Sequence, residues 1–148
     1  MLTIRPSHAR DSERVVDIWC NAVDATHHFL TPADRIAIEA DVRAFLPAAP
    51  LLLAVDQSDR ALGFMLLDGS HMEALFIDPA HRGQGVGRLL VEHGLTLCGS
   101  MSTDVNEQNE QAVGFYQRLG FTVFGRSPLD GQERAYPLLH LQYSHAGN

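Results

Sequence analysis

Arg82-Gly83-Gln84-Gly85-Val86-Gly87-Arg88 is the stretch of this chain whose residue types and spacing most directly prescribe chemistry. The apolar run Ala74-Leu75-Phe76-Ile77 precedes it, Asp78-Pro79 ends that run, and a helix-like segment follows. A strand, a glycine-rich turn and a helix start together make an anion site that needs no metal. The glycines let the backbone come close, and the unpaired N–H groups at the helix start point at the ligand oxygens. Arg82 and Arg88 flank the turn with positive charge. Two familiar phosphate motifs do not fit. No Gly-Lys-Ser/Thr follows, so this is not a Walker loop. Gly83, Gly85 and Arg88 fall on the dinucleotide spacing, but the third glycine is missing and no βαβ unit opens the chain. A glycine-rich turn without a ligand is the competing reading of the loop taken alone.

A second run, Asn106-Glu107-Gln108-Asn109-Glu110-Gln111-Ala112-Val113-Gly114-Phe115-Tyr116-Gln117-Arg118-Leu119-Gly120-Phe121, lies downstream. Arg-x-x-Gly-x-Gly at Arg82, Gly85 and Gly87 resembles the acetyl-coenzyme A pyrophosphate loop of the GCN5-related N-acetyltransferases (the GNAT family). The second run resembles that family's other signature, N-x-x-N-x-x-A-x-x-F-Y-x-x-x-G-F. Two independent motifs in the right order are specific. Trp19, Ala22, His27 and Phe29, with the short sheet, bring the chain closest to small bacterial members. The resemblance implies an acetyl-coenzyme A-dependent transferase that acetylates a primary amine by direct transfer in a ternary complex. The acceptor is a small molecule, an amino acid or a peptide. A non-catalytic module that senses acyl-coenzyme A is the alternative.

The resemblance also distributes roles. Backbone N–H groups of Gly83, Gln84, Gly85, Val86, Gly87 and Arg88, beside Arg82, hold the pyrophosphate. The backbone of Leu75, Phe76 and Ile77 pairs with the pantetheine arm as with an added strand. Their side chains read as core. That arm requires the strand holding Leu75 to Ile77 to separate from the one holding Ser102 to Val105. Tyr116, beside Phe115, is placed near the thioester sulfur as general acid, since a phenol of pKa ~10 keeps its proton at neutral pH. The plainer reading is a helix tyrosine with its ring in the core. Asn109 is a helix N-cap on sequence grounds and a coenzyme A contact by resemblance. Asn106 is a cofactor or acceptor contact, or a turn asparagine. Gly114 is a mid-helix glycine, a cost that close approach to the cofactor or a neighbouring strand would offset, or a tolerated one. Glu73 is the proposed base because family members often use a glutamate near this position, with His71 as the other candidate. His27, His28 and Phe29 lie in a connection that borders the acceptor pocket in this family; surface histidines are the alternative. No metal site is expected, because adjacent histidines project apart and no acidic or cysteine cluster joins them. His8, His81, His93, His140 and His145 receive no role.

Composition bounds these readings. The chain has 148 residues, enough for one domain over residues 1–148 with a real core. Hydrophobic content of 45% and charged content of 20% fit a soluble globular protein. The net charge of −7 argues against nucleic acid as a partner and suits a cationic acceptor. Coenzyme A, itself a polyanion, must then be met by local N–H groups and a helix dipole. No apolar run spans a membrane and no signal peptide is visible, so a cytoplasmic enzyme is expected, monomer or homodimer. Cys20 and Cys98 read as isolated core thiols.

The elements that must position these groups follow from pattern. Leu2 to Arg5 reads as a strand. Asp11 caps a helix to about Val23, with Val15, Ile18, Trp19 and Ala22 on one face. Thr31-Pro32-Ala33-Asp34 starts a second helix, Thr31 as cap and Pro32 at the first position; it ends before Pro47. Strands are expected at Leu51 to Val55, Leu62 to Leu67 and Met72 to Ile77. A helix over about Gly85 to Leu97, a strand over Ser102 to Val105 and a helix from Asn109 to Gly120 follow. Phe121 to Gly125 and Leu138 to Tyr143 are the last strands. The fold class is α/β with a mixed, mostly antiparallel sheet, order βααβββαβαββ, splayed at the cofactor site and with helices on both faces.

Overall fold

The computed structural model describes residues 1–144; His145 lies outside them. Its elements are β1 (Thr3–Pro6), α1 (Ser12–Thr26), α2 (Pro32–Phe45), β2 (Leu52–Val55), β3 (Ala61–Asp68), β4 (His71–Ile77), α3 (Val86–Cys98), β5 (Ser100–Asn106), α4 (Glu110–Leu119), β6 (Thr122–Ser127) and β7 (Leu138–Ser144). This is the expected order, with short 3-10 turns added at Ala9–Asp11, Leu46–Ala48 and Pro79–His81. The strands form one seven-stranded sheet in the order β1-β2-β3-β4-β5-β7-β6. β1–β2, β2–β3, β5–β7 and β6–β7 pair antiparallel. β4 and β5 pair in parallel, over His71–Ser102 and Met72–Thr103. No helix among the described residues is long and apolar enough to cross a membrane.

By contacts the chain divides into two compact units, Met1–Leu66 with Ala74–Glu92, and Leu67–Glu73 with the chain from His93. In the first unit the apolar stripe of α1, Val15, Ile18, Trp19 and Val23, packs with Leu51, Leu53, Val55, Phe64 and Leu66. Burying each large side chain of this set contributes ~1.5–3 kcal/mol. The helix starts differ in chemistry. Thr31 accepts from the Asp34 N–H at 3.1 Å and caps α2 as the sequence indicates. Asp11 stands at the N-cap of α1 without capping it. Its carboxylate instead takes the Arg5 guanidinium at 2.9 and 3.0 Å and the His8 N–H at 2.8 Å, closing the preceding 3-10 turn. The Arg5 partner holds the Asp11 carboxyl down at about 2.

Gly63 of β3 sets how closely the end of β4 and the start of α3 pack. A Cβ there would lie 2.8 Å from Ile77 Cδ1, 3.0 Å from the Phe76 carbonyl oxygen and 3.0 Å from Val86 Cγ1. The carbonyl is backbone and cannot rotate away. Gly63→Ala is therefore expected to destabilise the fold by ~1–3 kcal/mol, the usual cost of overpacking, read as a lower denaturant midpoint. An unchanged midpoint would show that this packing yields.

In the second unit β7 pairs with β5 from Ser100–Ser144 to Asn106–Leu138 and with β6 on its other side. Met101, Thr103 and Val105 are buried on β5, while Ser102 and Asp104 are more open. Period-two alternation therefore sends Thr103 to one face and Ser102 and Asp104 to the other. Asn109 caps α4, its Oδ1 accepting from the Ala112 N–H at 3.2 Å. Cys20 and Cys98 form no disulfide and are half-buried; Cys20 packs against the core of the first unit, as expected, and Cys98 does not join it.

Candidate active site

Asp78 anchors the turn between β4 and α3. Its N–H donates to the Leu62 carbonyl at 2.9 Å, its carbonyl accepts from His81 N–H at 2.9 Å, and its carboxylate caps the Ala80 N–H at 3.1 Å. Arg14 Nη2 of α1 reaches the same carboxylate at 2.7 Å, and its Nε donates to the Ala61 carbonyl at 2.9 Å. Burial pushes the Asp78 carboxyl up; Arg14 and the Ala80 N–H outweigh it and leave the group ionised below its ordinary range. The sequence reading used Asp78-Pro79 only as a strand stop and gave Arg14 no role. Asp-Pro is a turn-initiating pair, a signal for Asp78 at least. No local signal links Arg14 to it across the chain.

From this anchor the turn runs through Gly83 at φ 76° and Gly85 at φ 80° into α3. Gly85 accepts the first α3 hydrogen bond, from Leu89 N–H at 2.9 Å. The N–H groups of Val86, Gly87 and Arg88 therefore precede the first intrahelical bond, at the positive end of the helix dipole. Gly87 lies inside the helix, so its glycine serves no left-handed turn. A Cβ at Gly83 or Gly85 would meet nothing within 4 Å, so the turn is open at both glycines. The cradle thus fits a diphosphate. Arg88 Nε donates to Glu92 Oε2 at 3.0 Å along the helix, so its charge is partly met, and Gln84 Oε1 lies 3.3 Å from His81 Nδ1.

In the second unit Tyr116 is 6% exposed. Its ring stands edge-on to Phe115 and Phe121, with centroids 5.2 and 5.3 Å away. Burial drives the phenol pKa well above its ordinary value, and a hydrogen bond with the Thr103 side chain only partly opposes that. The Thr103 hydroxyl donates to the Met72 carbonyl at 2.9 Å. Asn106 accepts the Asn109 N–H through its carbonyl at 2.9 Å, so the two asparagines frame the turn into α4. At Gly114 an added Cβ would meet only Arg118 Nη1, at 3.1 Å; no strand approaches it there.

Glu73 is exposed on β4, and its Oε1 lies 4.0 Å from His71 Nε2. His71 also faces Asp104 of β5, a residue to which the sequence gave no signal beyond strand alternation. In the first unit His27 and Phe29 come together, ring centroids 5.2 Å apart. Thr26 Oγ1 donates to the Ala22 carbonyl at 2.8 Å and so accepts from His27 Nδ1–H at 2.7 Å. Burial, aided by His28, lowers the His27 pKa to about 4. His27 is therefore a neutral imidazole at pH 7 and a weak proton acceptor. His28 turns away, its Nε2–H donating to the Asp24 carbonyl at 3.0 Å.

A seven-stranded mixed sheet with a glycine cradle ahead of α3 and a buried tyrosine on α4 is the arrangement of an acyl-coenzyme A transferase. The same backbone recurs in the solution structure of apo YjaB from Escherichia coli, with TM-score 0.95, 55% identity and 99% of each chain covered. A PaiA N-acetyltransferase from Thermoplasma acidophilum, solved in complex with coenzyme A, shares the fold at TM-score 0.79 and 14% identity, over 97% of this chain and 99% of that one. Residues 28–131 match the model of the acetyltransferase (GNAT) domain. The peptidyl-lysine N-acetyltransferase YjaB of Escherichia coli K12 is 55% identical over 143 residues, 97% of each chain. The chain belongs to the GNAT acetyltransferases, enzymes that take their acetyl group from acetyl-coenzyme A.

Proposed function

We propose that the protein acetylates the side-chain amine of lysine in peptides or proteins by direct transfer in a ternary complex. The observation that carries the acceptor class is the near-full-length identity to YjaB, a peptidyl-lysine N-acetyltransferase. The formal charge of −7 agrees with a cationic acceptor. Acetyl-coenzyme A supplies an activated acetyl thioester. The N–H groups that open α3 and the turn from Arg82 to Arg88 bind its pyrophosphate, and the β4 backbone at Leu75, Phe76 and Ile77 pairs with its amide arm. Asn106, Asn109 and Phe115 line its path. Tyr116 Oη holds a proton for the departing sulfur. Glu73 and His71 on β4 handle the proton of the acceptor ammonium. His27, His28 and Phe29 border the acceptor, His27 as a neutral hydrogen-bonding ring. On this reading the enzyme works in the cytoplasm.

The test is acetyl-coenzyme A with a panel of lysine peptides, free amino acids and simple amines, read by thiol release and by the site of acetylation. Nε-acetyl-lysine in peptides is the expected product. Transfer only to free amines would replace the acceptor class. Tight acetyl-coenzyme A binding without transfer to any amine would make the chain a sensor.

A further inference from the structure

On the face of β5 opposite Thr103, six polar side chains form a continuous cluster across four strands. His71 Nδ1 lies 2.7 Å from Ser102 Oγ. His71 Nε2 lies 3.6 Å from Asp104 Oδ2 and 4.0 Å from Glu73 Oε1. The other Asp104 oxygen, Oδ1, sits 2.6 Å from His140 Nδ1, and His140 Nε2 sits 2.7 Å from Ser127 Oγ. A carboxylate only accepts, so His140 Nδ1 carries the hydrogen toward Asp104. Asp104 is thereby fixed on one side and leaves its second oxygen toward His71.

The Ser102 hydroxyl can accept as well as donate; in the tautomer that gives it Nδ1–H, the lone pair of His71 Nε2 faces a gap edged by two carboxylates. Neither carboxylate is within hydrogen-bond distance of it. A lone pair beside two anions is satisfied by a donor that brings positive charge. The gap is open to solvent: the side chains of His71, Glu73 and Asp104 are 32%, 47% and 37% exposed.

We propose that the gap between Glu73, His71 and Asp104 is a binding site for the acceptor's alkylammonium, and that His71 Nε2, not Glu73, takes its proton. The inference rests on the acetyl-transfer reading above and deepens it. In the step an N–H bond of the ammonium breaks, its electron pair stays on nitrogen, and a new H–Nε2 bond forms. The proton then leaves to water. The transfer moves one positive charge over one site between the same two carboxylates, so no charge pair is created or buried. Glu73 and Asp104 attract the cation and hold the resulting imidazolium. Asp104 and Ser102 are positioning residues, and His140 with Ser127 fixes Asp104.

Two measurements test it. The first is the pH dependence of kcat/KM with a lysine peptide for the wild-type protein, His71→Gln, Glu73→Gln and Asp104→Asn. His71→Gln, which keeps a polar group for Ser102, is expected to lower kcat/KM at neutral pH by ~10²–10⁴-fold and to erase the acidic limb. Glu73→Gln and Asp104→Asn raise KM and move the limb to lower pH without erasing it. A limb that survives His71→Gln, or vanishes in Glu73→Gln, overturns the proposal. The second needs no turnover: the His71 Cε1–H resonance is followed during titration with Nα-acetyl-lysine methylamide. A saturable shift in the wild type, lost in Glu73→Gln/Asp104→Asn, is expected; an absent or unchanged shift overturns the site. If the wild type acetylates no amine at all, the transfer reading fails, and the resonance alone decides the ammonium site. Thermal melts show that each variant is folded.

Discussion

Tyr116→Phe is expected to reduce turnover ~10²–10⁴-fold, the span of a lost general acid, with acetyl-coenzyme A affinity nearly unchanged. The substitution isolates one atom. The ring packs against Phe115 and Phe121 and is retained, so the aromatic contacts survive. The Thr103 hydroxyl still donates to the Met72 carbonyl, so no buried donor is orphaned. The stability cost is then that of a single neutral hydrogen bond, ~1 kcal/mol, too little to unfold the chain. What disappears is the proton. Burial raises the phenol pKa well above its ordinary value, so the hydroxyl stays neutral throughout the working range. Tyr116→Phe should therefore lower kcat without removing either limb of the pH profile, unlike His71→Gln. Steady-state kcat on a lysine peptide, calorimetric titration with acetyl-coenzyme A and a melting curve check the three parts. Full turnover in a folded variant would mean that the departing sulfur takes its proton elsewhere.

The parts of the fold that were legible are those governed by local chemistry. The α1 stripe, the Thr31-Pro32 helix start, the Asn109 cap and the element order all follow from residue spacing and short-range hydrogen bonds. Asp11 shows where that logic stops. As an aspartate before a helix it reads as a cap, but Arg5 brings two charged hydrogen bonds to the same carboxylate, and the nearby cation wins. The loop was legible as an anion cradle because its glycines and helix start are contiguous. The Arg14–Asp78 ion pair behind it was not, since 64 positions separate the partners. The same holds for the proton-handling groups. Glu73 and His71 stand two apart on β4 and were both visible as candidates. Their partners Ser102, Asp104 and His140 come from β5 and β7, and only strand register brings them to one face. Likewise Gly63, an unremarked glycine in an apolar run, gains meaning only when Ile77, Phe76 and Val86 are packed beside it.

Gly85→Val is expected to weaken acetyl-coenzyme A binding at least tenfold, about 1.4 kcal/mol. The sequence suggests that a side chain here has no room. The structure gives a different reason, because a Cβ at Gly85 would meet nothing within 4 Å. The obstacle is the backbone: φ is 80°, a left-handed conformation that costs a residue with a Cβ ~1–2 kcal/mol, and a β-branched side chain suits it least. Valine would turn the peptide back toward negative φ. Gly85 also supplies the carbonyl for the first α3 hydrogen bond, so that turn re-aims the Val86, Gly87 and Arg88 N–H groups. Those groups, beside Arg82, give the loop its positive potential in a chain of net charge −7, and their aim at the ligand depends on this turn. Gly85 is exposed, so the cost falls on the ligand site and the fold survives. Gly131→Val is the matched control, since Gly131 also has open space around it and no left-handed φ. Its affinity should equal that of the wild type. Calorimetric titration of both folded variants decides the matter. Unchanged affinity in Gly85→Val would show that the loop does not hold the pyrophosphate.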